Sequence, residues 1–260
     1  MNIIVCIKQT LDTAAKIEIV DGEVFNEGVP RIINPYDEFA IEEALRIKEK
    51  KEGTQVTLLT VGPEKFQDSL RTGLAMGADE AIHVLDPELG GIDGRGVAQV
   101  LASVIQDKPF DLILCGRQAV DDDMGRIGPA LAVLLGIPFI TVITKLELCD
   151  GEKKVIVTRQ IEGGLEIMET APPALLTCQK GLNEPRLPSL KGIMKAKKKE
   201  ILILDAKMLG LDVGSLVNDS IKLVDLTLPE ERKKGIILEG GVQECTAQLA
   251  SILRNDAKVV

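Results

Sequence analysis

The 260-residue chain carries a formal net charge of −9, with 45% hydrophobic and 27% charged residues, the balance of an ordinary globular protein large enough for a substantial core. It has no Trp, one Tyr and five Phe, so the core must come from Ile, Leu, Val and Ala, and base-stacking platforms for single-stranded nucleic acid are disfavoured. The acidic balance argues against duplex binding as well.

Up to about residue 145, short apolar runs alternate with helical patterns. Residues 3–7 read as a buried strand. Residues 17–20 and 23–25 flank Asp21-Gly22, a two-residue hairpin signal. Residues 35–51 carry a helical stripe of Phe39, Ile41, Ala44, Leu45 and Ile47, ended by Gly53. Then come a strand at 55–61, a helix at 63–76, a strand at 81–85, a helix at 96–106, a strand at 111–115, a helix at 124–135 and a strand at 139–142. This alternation predicts an α/β fold: an open, twisted, mostly parallel sheet with helices on both faces, and a ligand site at the carboxyl ends of the strands.

From residue 144 the rhythm changes to short strands without helical spacers, at 145–148, 154–161, 165–169 and 174–177. Turns are signalled at Asp150-Gly151 and Gly163-Gly164, and the result is an expected antiparallel extension of the sheet. A strand at 201–204, a linker-like stretch at 210–222, a strand at 222–226 and an amphipathic helix at 241–254 complete the chain. The expected organisation is an α/β nucleotide-binding domain over residues 1–205, with a protruding loop at about 184–199, and a C-terminal arm and helix over 206–260.

The apolar run at residues 3–7 is ended by Lys8 and lacks a signal-peptide pattern. The longest apolar stretch, 130–144, is broken by Gly136 and Pro138, short of the roughly 18 residues of a membrane span. Five widely spaced cysteines without a CxxC pair read as free thiols of a reducing compartment, with the cytoplasm expected.

Residues 114–128 combine a strand end, a glycine turn and a helix start. Asp123 is placed to cap that helix. The N–H groups of Gly125, Arg126 and Ile127 suit a phosphate, and Arg126 can add a charge-assisted bond. Three acids beside a phosphate conflict electrostatically, so Asp121 and Asp122 are expected to point elsewhere. On spacing alone the stretch reads rather as a capped helix after a strand. Consecutive aspartates aim in different directions and make no metal site. His83, the single histidine, reads as a strand or surface residue, and no nucleophile elbow is present to support hydrolysis. Arg159 reads as an anchor for the glycine turn that follows it.

The run 181–199, GLNEPRLPSLKGIMKAKKK, is compositionally unusual. From Arg186 to Lys199 it holds six basic residues and no acid, so the rest of the chain carries −15. Pro185 and Pro188 favour extended backbone up to Leu190. An apolar cluster with a charged collar suits docking to another protein; a solvated loop beside an amphipathic turn is the other reading.

Together with residues 159–166, RQIEGGLE, this run resembles the signature region of the electron transfer flavoprotein β-subunit family. The stretches 5–8 (VCIK), 34–40 (NPYDEFA) and 116–123 (GRQAVDDD) follow in that family's order, and the likeness spans nearly the whole chain. The resemblance implies an electron carrier, not an enzyme, working as a heterodimer with an FAD-carrying α subunit. It implies that AMP is bound structurally in this subunit by Cys6, Asn34, Pro35, Tyr36, Asp37, Val61, Gly116, Arg117, Gln118, Ala119, Val120, Asp121, Asp123, Met124, Gly125, Arg126 and Ile127. Thr13 and Tyr36 would face the flavin shared with the α subunit. Leu190, Ile193, Met194, Lys195 and Lys198 would contact an acyl-CoA dehydrogenase, from which electrons pass to a quinone-linked oxidoreductase.

Several positions depart from the family's patterns. Gly125-Arg126-Ile127 replaces an Asn-Gln-Thr run of ordinary members, Gln160 a Glu, and Thr13 an aromatic. Asp122 matches the AMP-binding members, whereas Gly128-Pro129 matches electron-bifurcating members, which hold a second FAD there and oxidise NADH. That version is the first alternative, and a stand-alone adenine-nucleotide-binding α/β domain the second. No GxGxxG follows the first strand, in keeping with a catalytic flavin held mainly by the α subunit.

Overall fold

A computed structural model describes residues 1–25, 27–149, 154–216, 224–229 and 235–260. The chain divides into two compact units, Met1–Ile17 with Phe25–Val224, and Glu18–Val24 with Asp225–Val260.

In the first unit the chain order is β1 (Asn2–Cys6), β2 (Gln9–Leu11), then, beyond the second unit's hairpin strands β3 (Glu18–Val20) and β4 (Glu23–Phe25), β5 (Arg31–Ile33) and α1 (Pro35–Lys50). There follow β6 (Gln55–Val61), α2 (Gln67–Met76), β7 (Glu80–Val84), α3 (Gly94–Ile105), β8 (Leu112–Gly116), α4 (Ile127–Leu135), β9 (Phe139–Cys149), β10 (Lys154–Ile161), β11 (Gly164–Thr170) and β12 (Ala174–Cys178). Helix α5 (Leu190–Ala196), β13 (Leu202–Leu204) and α6 (Val213–Leu216) complete it. The nine-stranded sheet has the order β11-β10-β9-β12-β8-β1-β6-β7-β13. Neighbours from β9 to β13 are parallel, and β9-β10-β11 is antiparallel.

The local causes are those of a two-faced sheet. β1 and β8 are nearly continuous apolar runs because both faces are covered. Helix α1 starts at Pro35, whose missing N–H costs nothing in the first turn. Asp93 caps α3, accepting from the N–H groups of Arg95 (2.9 Å) and Gly96 (3.0 Å). One core packs α1 and α2 residues such as Ile41, Leu45, Leu70 and Leu74 against Val5, Leu58 and Leu114. The other packs Val100, Leu101, Val104 and Leu131 against Ile4, Leu59 and Ile113, and takes in Ala206 and Leu216.

Several expectations are corrected. The strands expected at 139–142 and 145–148 are one strand, β9, whose irregularity sits at Val142 (φ +63°), with its N–H turned to Thr177 Oγ1 at 2.9 Å. β12 does not belong to the antiparallel extension: it returns to run parallel between β8 and β9. Helix α4 begins at Ile127, not 124, with Arg126 at its cap and no side-chain capping bond. Asp123 instead adopts φ +51° and accepts from Gln118 Nε2 at 2.6 Å, so it is part of a tight turn and caps nothing. Sequence patterning also missed the three-residue pair β2-β5 and helix α5. The Asp150-Gly151 turn and residues 222 and 223 of the expected strand lie outside the described residues, and residues 224–226 form no strand.

In the second unit, Asp21 (φ +53°) and Gly22 (φ +78°) make the β3-β4 turn, the backbone that the dipeptide predicts. Helix α7 (Val242–Ser251) has Glu244 accepting from the Gly241 N–H at 3.1 Å, buries none of its residues, and passes into a π-helical turn at Ile252–Asp256. Among the described residues, no helix is long and apolar enough to cross a membrane.

Candidate functional site: the β1–β8 sheet edge and the basic segment

β1 and β8 end side by side, with Cys6 opposite Cys115. The chain leaves β1 toward β6 and β7 and returns to β8, so the two strand ends open a crevice at a switch point of the sheet. The first turn of α1 fills its base. Asp37 accepts from the N–H of Lys8 (2.7 Å) and of Gly116 (2.9 Å), joining the exits of both strands through one carboxylate. Asn34 acts on the next loop: its Nδ2 donates to Gln118 O at 2.8 Å, and its Oδ1 accepts from Val120 N–H at 3.1 Å. Gly116 lies so close to α1 that an added Cβ would stand 2.4 Å from Asp37 Oδ1 and 2.6 Å from Tyr36 Cβ. Only glycine fits there.

Electrostatics follow from this burial. Desolvation pushes the Asp37 carboxyl up to about 7, against the lowering effect of its Lys8, Asn34 and Gly116 donors. Burial, with Asp37 adding, pushes the Cys6 thiol up to about 12, and burial raises Cys115 well above the usual thiol value. Both thiols therefore stay protonated and are poor nucleophiles. Lys8 Nζ pairs with Asp121 (2.6 Å) and approaches Asp122 (3.5 Å). Arg117 stacks over Tyr36, 5.6 Å from the ring centre, and Arg126 lies 3.8 Å from Asp93.

Above this base lies a cavity of about 960 Å³. Of the residues singled out from sequence, Cys6, Asn34, Asp37, Val61, Arg117, Gln118, Ala119, Met124, Gly125, Arg126 and Ile127 line it. Pro35, Tyr36, Gly116, Val120, Asp121 and Asp123 do not, although the hydrogen bonds above tie most of them to its walls. Asp122, expected to point away, lines the cavity while its Oδ1 accepts from Met124 N–H at 3.0 Å. Thr13 sits in an exposed turn after β2 and takes no part in the cavity wall. Among the described residues, the backbone N–H groups of Gly125, Arg126, Ile127 and Gly128 meet no acceptor. They form an electropositive mouth at the α4 N-terminus.

Sequence reading missed the far wall, made by residues after β6 (Gly62, Pro63, Phe66) and after β7 (Leu89, Gly91, Gly94). Their signal was available: glycine-bearing loops at the carboxyl ends of parallel strands. His83 is fully buried on β7, not at the surface. Its Nε2 lies 2.9 Å from Gly62 O, an acceptor only, so Nε2 carries the proton and Nδ1 is left without a partner. Among the described residues no group of three or more His, Cys, Asp or Glu side chains can hold a metal. Arg159 sits 3.2 Å from Glu166 across β10-β11, beside the turn it was expected to anchor.

The basic segment is fastened from below. Arg186 donates to Glu42 through Nε (2.8 Å) and Nη2 (3.0 Å), and to Glu49 through Nη1 (2.5 Å). Burial alone would raise the Glu42 carboxyl, but the Arg186 bonds outweigh it and hold the group below the usual carboxylate range. Asn183 bonds to Phe39 O (3.0 Å) and Glu43 (2.9 Å). Arg71 reaches the carbonyls of Ala196 and Lys199, and Lys199 Nζ donates to Ala78 O at 2.6 Å. Ser189 caps α5 through Gly192 N–H at 3.0 Å. A Cβ on Gly192 would come 2.1 Å from Ala75 O, so α5 lies directly on the backbone of α2. On the outer side Leu187 and Leu190 are 90% and 84% exposed and Met194 68%; Ile193, Lys195 and Lys198 are exposed too.

These features stand beside clear likenesses to known proteins. A family model described as electron transfer flavoprotein domain matches residues 22–209. An electron transfer flavoprotein subunit beta of Bacillus subtilis is 45% identical over 100% of both chains. One of Bos taurus is 37% identical over 98% of both. The caffeyl-CoA reductase-Etf complex subunit CarD of Acetobacterium woodii is 44% identical over 81% of this chain and 80% of its own. With a parallel-sheet crevice and identity of this order along its full length, the chain belongs to the electron transfer flavoprotein β-subunit family.

Proposed function

We propose that the chain is the β subunit of a heterodimeric electron carrier, paired with an FAD-binding α subunit, and that its own cavity holds AMP as a structural ligand. The observation that carries the nucleotide assignment is the mouth of unpartnered N–H groups at residues 125–128, facing a cavity on the switch point. The acids beside it oppose a phosphate less than their number suggests. Asp121 is neutralised by Lys8, Asp122 accepts from Met124, and Asp123 accepts from Gln118. Arg126 and Arg117 line the same space and supply positive charge. The residues present therefore fit a phosphorylated nucleotide. The shared FAD, when bound, supplies the electron-transfer chemistry that protein side chains cannot. In this reading the chain contributes a wall to the flavin site, and Tyr36 and Thr13 are assigned to face it.

The exposed cluster Leu190, Ile193, Met194, Lys195 and Lys198 is assigned to docking an acyl-CoA dehydrogenase, with electrons passed onward to a quinone-linked oxidoreductase. A pre-fixed apolar tip on a basic collar gives a contact that is steered and specific yet exchangeable, as a shuttle requires.

A second reading has its own support. At about 960 Å³ the cavity is near the upper end of ligand sites, roughly 300–1,000 Å³, and it extends beyond the β1-β8 exits to the ends of β6 and β7. That space suits a dinucleotide, and one relative is named as part of a reductase-Etf complex. In this reading the cavity holds a second FAD and the carrier bifurcates electrons from NADH. Denaturing the purified heterodimer and quantifying the released nucleotides tests both: one FAD and one AMP are expected, whereas two FAD would replace the AMP assignment and nucleotide-free protein would overturn both.

A further inference from the structure

Helix α5 presents two opposed faces. Gly192 and Ala196, four residues apart, are pressed onto α2; Ala196 is 2% exposed. At 3.6 residues per turn, the opposite side is centred on Leu190 and Met194. Lys191, Lys195 and Lys198 follow one flank of that stripe and Lys197 the other, while Leu187 extends it toward the N-terminal side. The cations that position the segment, Arg71, Arg186 and Lys199, are already engaged. Among the described residues, Lys191, Lys195, Lys197 and Lys198 have no carboxylate partner, and all four are exposed.

Charge distribution gives this tip a direction. Residues 186–199 carry +6, and the rest of the chain −15. An anionic surface therefore attracts the tip and repels the body, so the molecule approaches it in one orientation. The apolar side chains of Leu187, Leu190 and Met194 stand out from the surface, 68–90% exposed. A protein must offer a matching hollow to accept such a shape, whereas the headgroup region of a bilayer accepts it directly. Leucine and methionine tips then enter the acyl boundary, and lysine stems reach the phosphates around them.

We propose that this face is also a reversible tether to anionic phospholipid bilayers. The inference goes beyond the docking assignment, because a bilayer needs no dehydrogenase to be present. Since the same side chains are used, a tethered molecule and a dehydrogenase-bound one are alternatives, and the carrier exchanges between a soluble donor and a membrane surface. Each lysine brought near such a surface strengthens binding about fivefold, and salt weakens the effect.

The test is flotation of the purified heterodimer with vesicles of phosphatidylcholine, alone and mixed with phosphatidylglycerol, in the absence of dehydrogenase. Binding to the mixed vesicles only, lost in high salt and lost in K191E/K195E/K198E, is expected. Leu187→Ala with Leu190→Ala should weaken it at least about fivefold through lost apolar burial. All of these positions are exposed, and unchanged melting temperature and nucleotide content in the variants verify that they fold. Equal binding to neutral vesicles, no binding to anionic ones, or binding indifferent to the lysine or the leucine substitutions would overturn the tether. Loss of vesicle binding in these variants with dehydrogenase coupling intact would instead count against the docking assignment alone.

Discussion

The β1-β8 crevice and the basic segment are built by the same device and put to opposite use. In each, a loop is fixed by buried side chains of α1 or its N-cap: Asn34 and Asp37 hold residues 116–120, while Glu42 and Glu43 hold 183–186. In each, a glycine permits backbone contact, Gly116 on the first turn of α1 and Gly192 on α2. In the crevice the fixed backbone itself is offered, as N–H groups round a cavity. In the basic segment the backbone is spent on fastening, and the side chains are offered. The acting atoms are thus found by asking which groups the scaffold leaves unpaired.

Substitutions that separate the two regions test this. Gly116→Ala should have the largest effect, about 3 kcal/mol or more, because the methyl meets Asp37 and the Tyr36 backbone, neither of which can yield. Nucleotide should be lost while amide exchange at residues 187–199 stays unchanged. Arg186→Ala should follow at about 2–3 kcal/mol, since it strips Glu42, 4% exposed, of its main partner but leaves Arg46. Its signature is faster exchange at 183–199 with full nucleotide content; slow exchange there would break the comparison. Gly192→Ala should destabilise by about 2 kcal/mol by lifting α5 from Ala75, and should weaken partner coupling without releasing nucleotide.

The pH response is smaller. The Asp37 carboxyl is raised from 3.8 to about 7 on folding, so the folded state holds its proton more tightly than the unfolded chain. The stability this contributes is complete below pH 3.8 and is lost as pH rises to about 7. Chemical denaturation across that window should show the decline, and Asp37→Asn should flatten it. The smallest expected stability change belongs to Leu190→Ala, within about 0.5 kcal/mol for so exposed a side chain. Coupling to the proposed dehydrogenase partner should nonetheless fall at least about tenfold, the worth of one buried leucine.

Much of the scaffold was legible because its causes are local. The apolar runs of β1, β6 and β8, the stripe of α1 and the Asp21-Gly22 turn each act within a few residues. What escaped depends on distant partners. β12 reads as another strand of a meander, yet its fully buried ALLTC run fits only a central parallel position. β2 and β5 are too short to declare themselves before they meet. The segment 189–196 reads as loop because its helix is stabilised by α2 beneath it, not by its own propensity. At the site, residue types were legible and roles were not. Asn34 and Asp37 read as ligand contacts; they line the cavity and, beyond that, their hydrogen bonds hold backbone 29–86 residues away. Asp123 reads as a cap because its spacing is right, but a left-handed turn at that residue redirects it.

One helix has a consequence for how the carrier meets the outside. At 16 residues and about 1.5 Å per residue, α1 is a stiff spar roughly 24 Å long, with its first turn gripping the crevice and Glu42, Glu43 and Glu49 gripping the root of the cationic segment. No hinge intervenes between them. Whatever seats itself on Leu190 finds the strand exits at a preset offset and angle, because the segment's root is clamped to this same rod and its tip rests on α2.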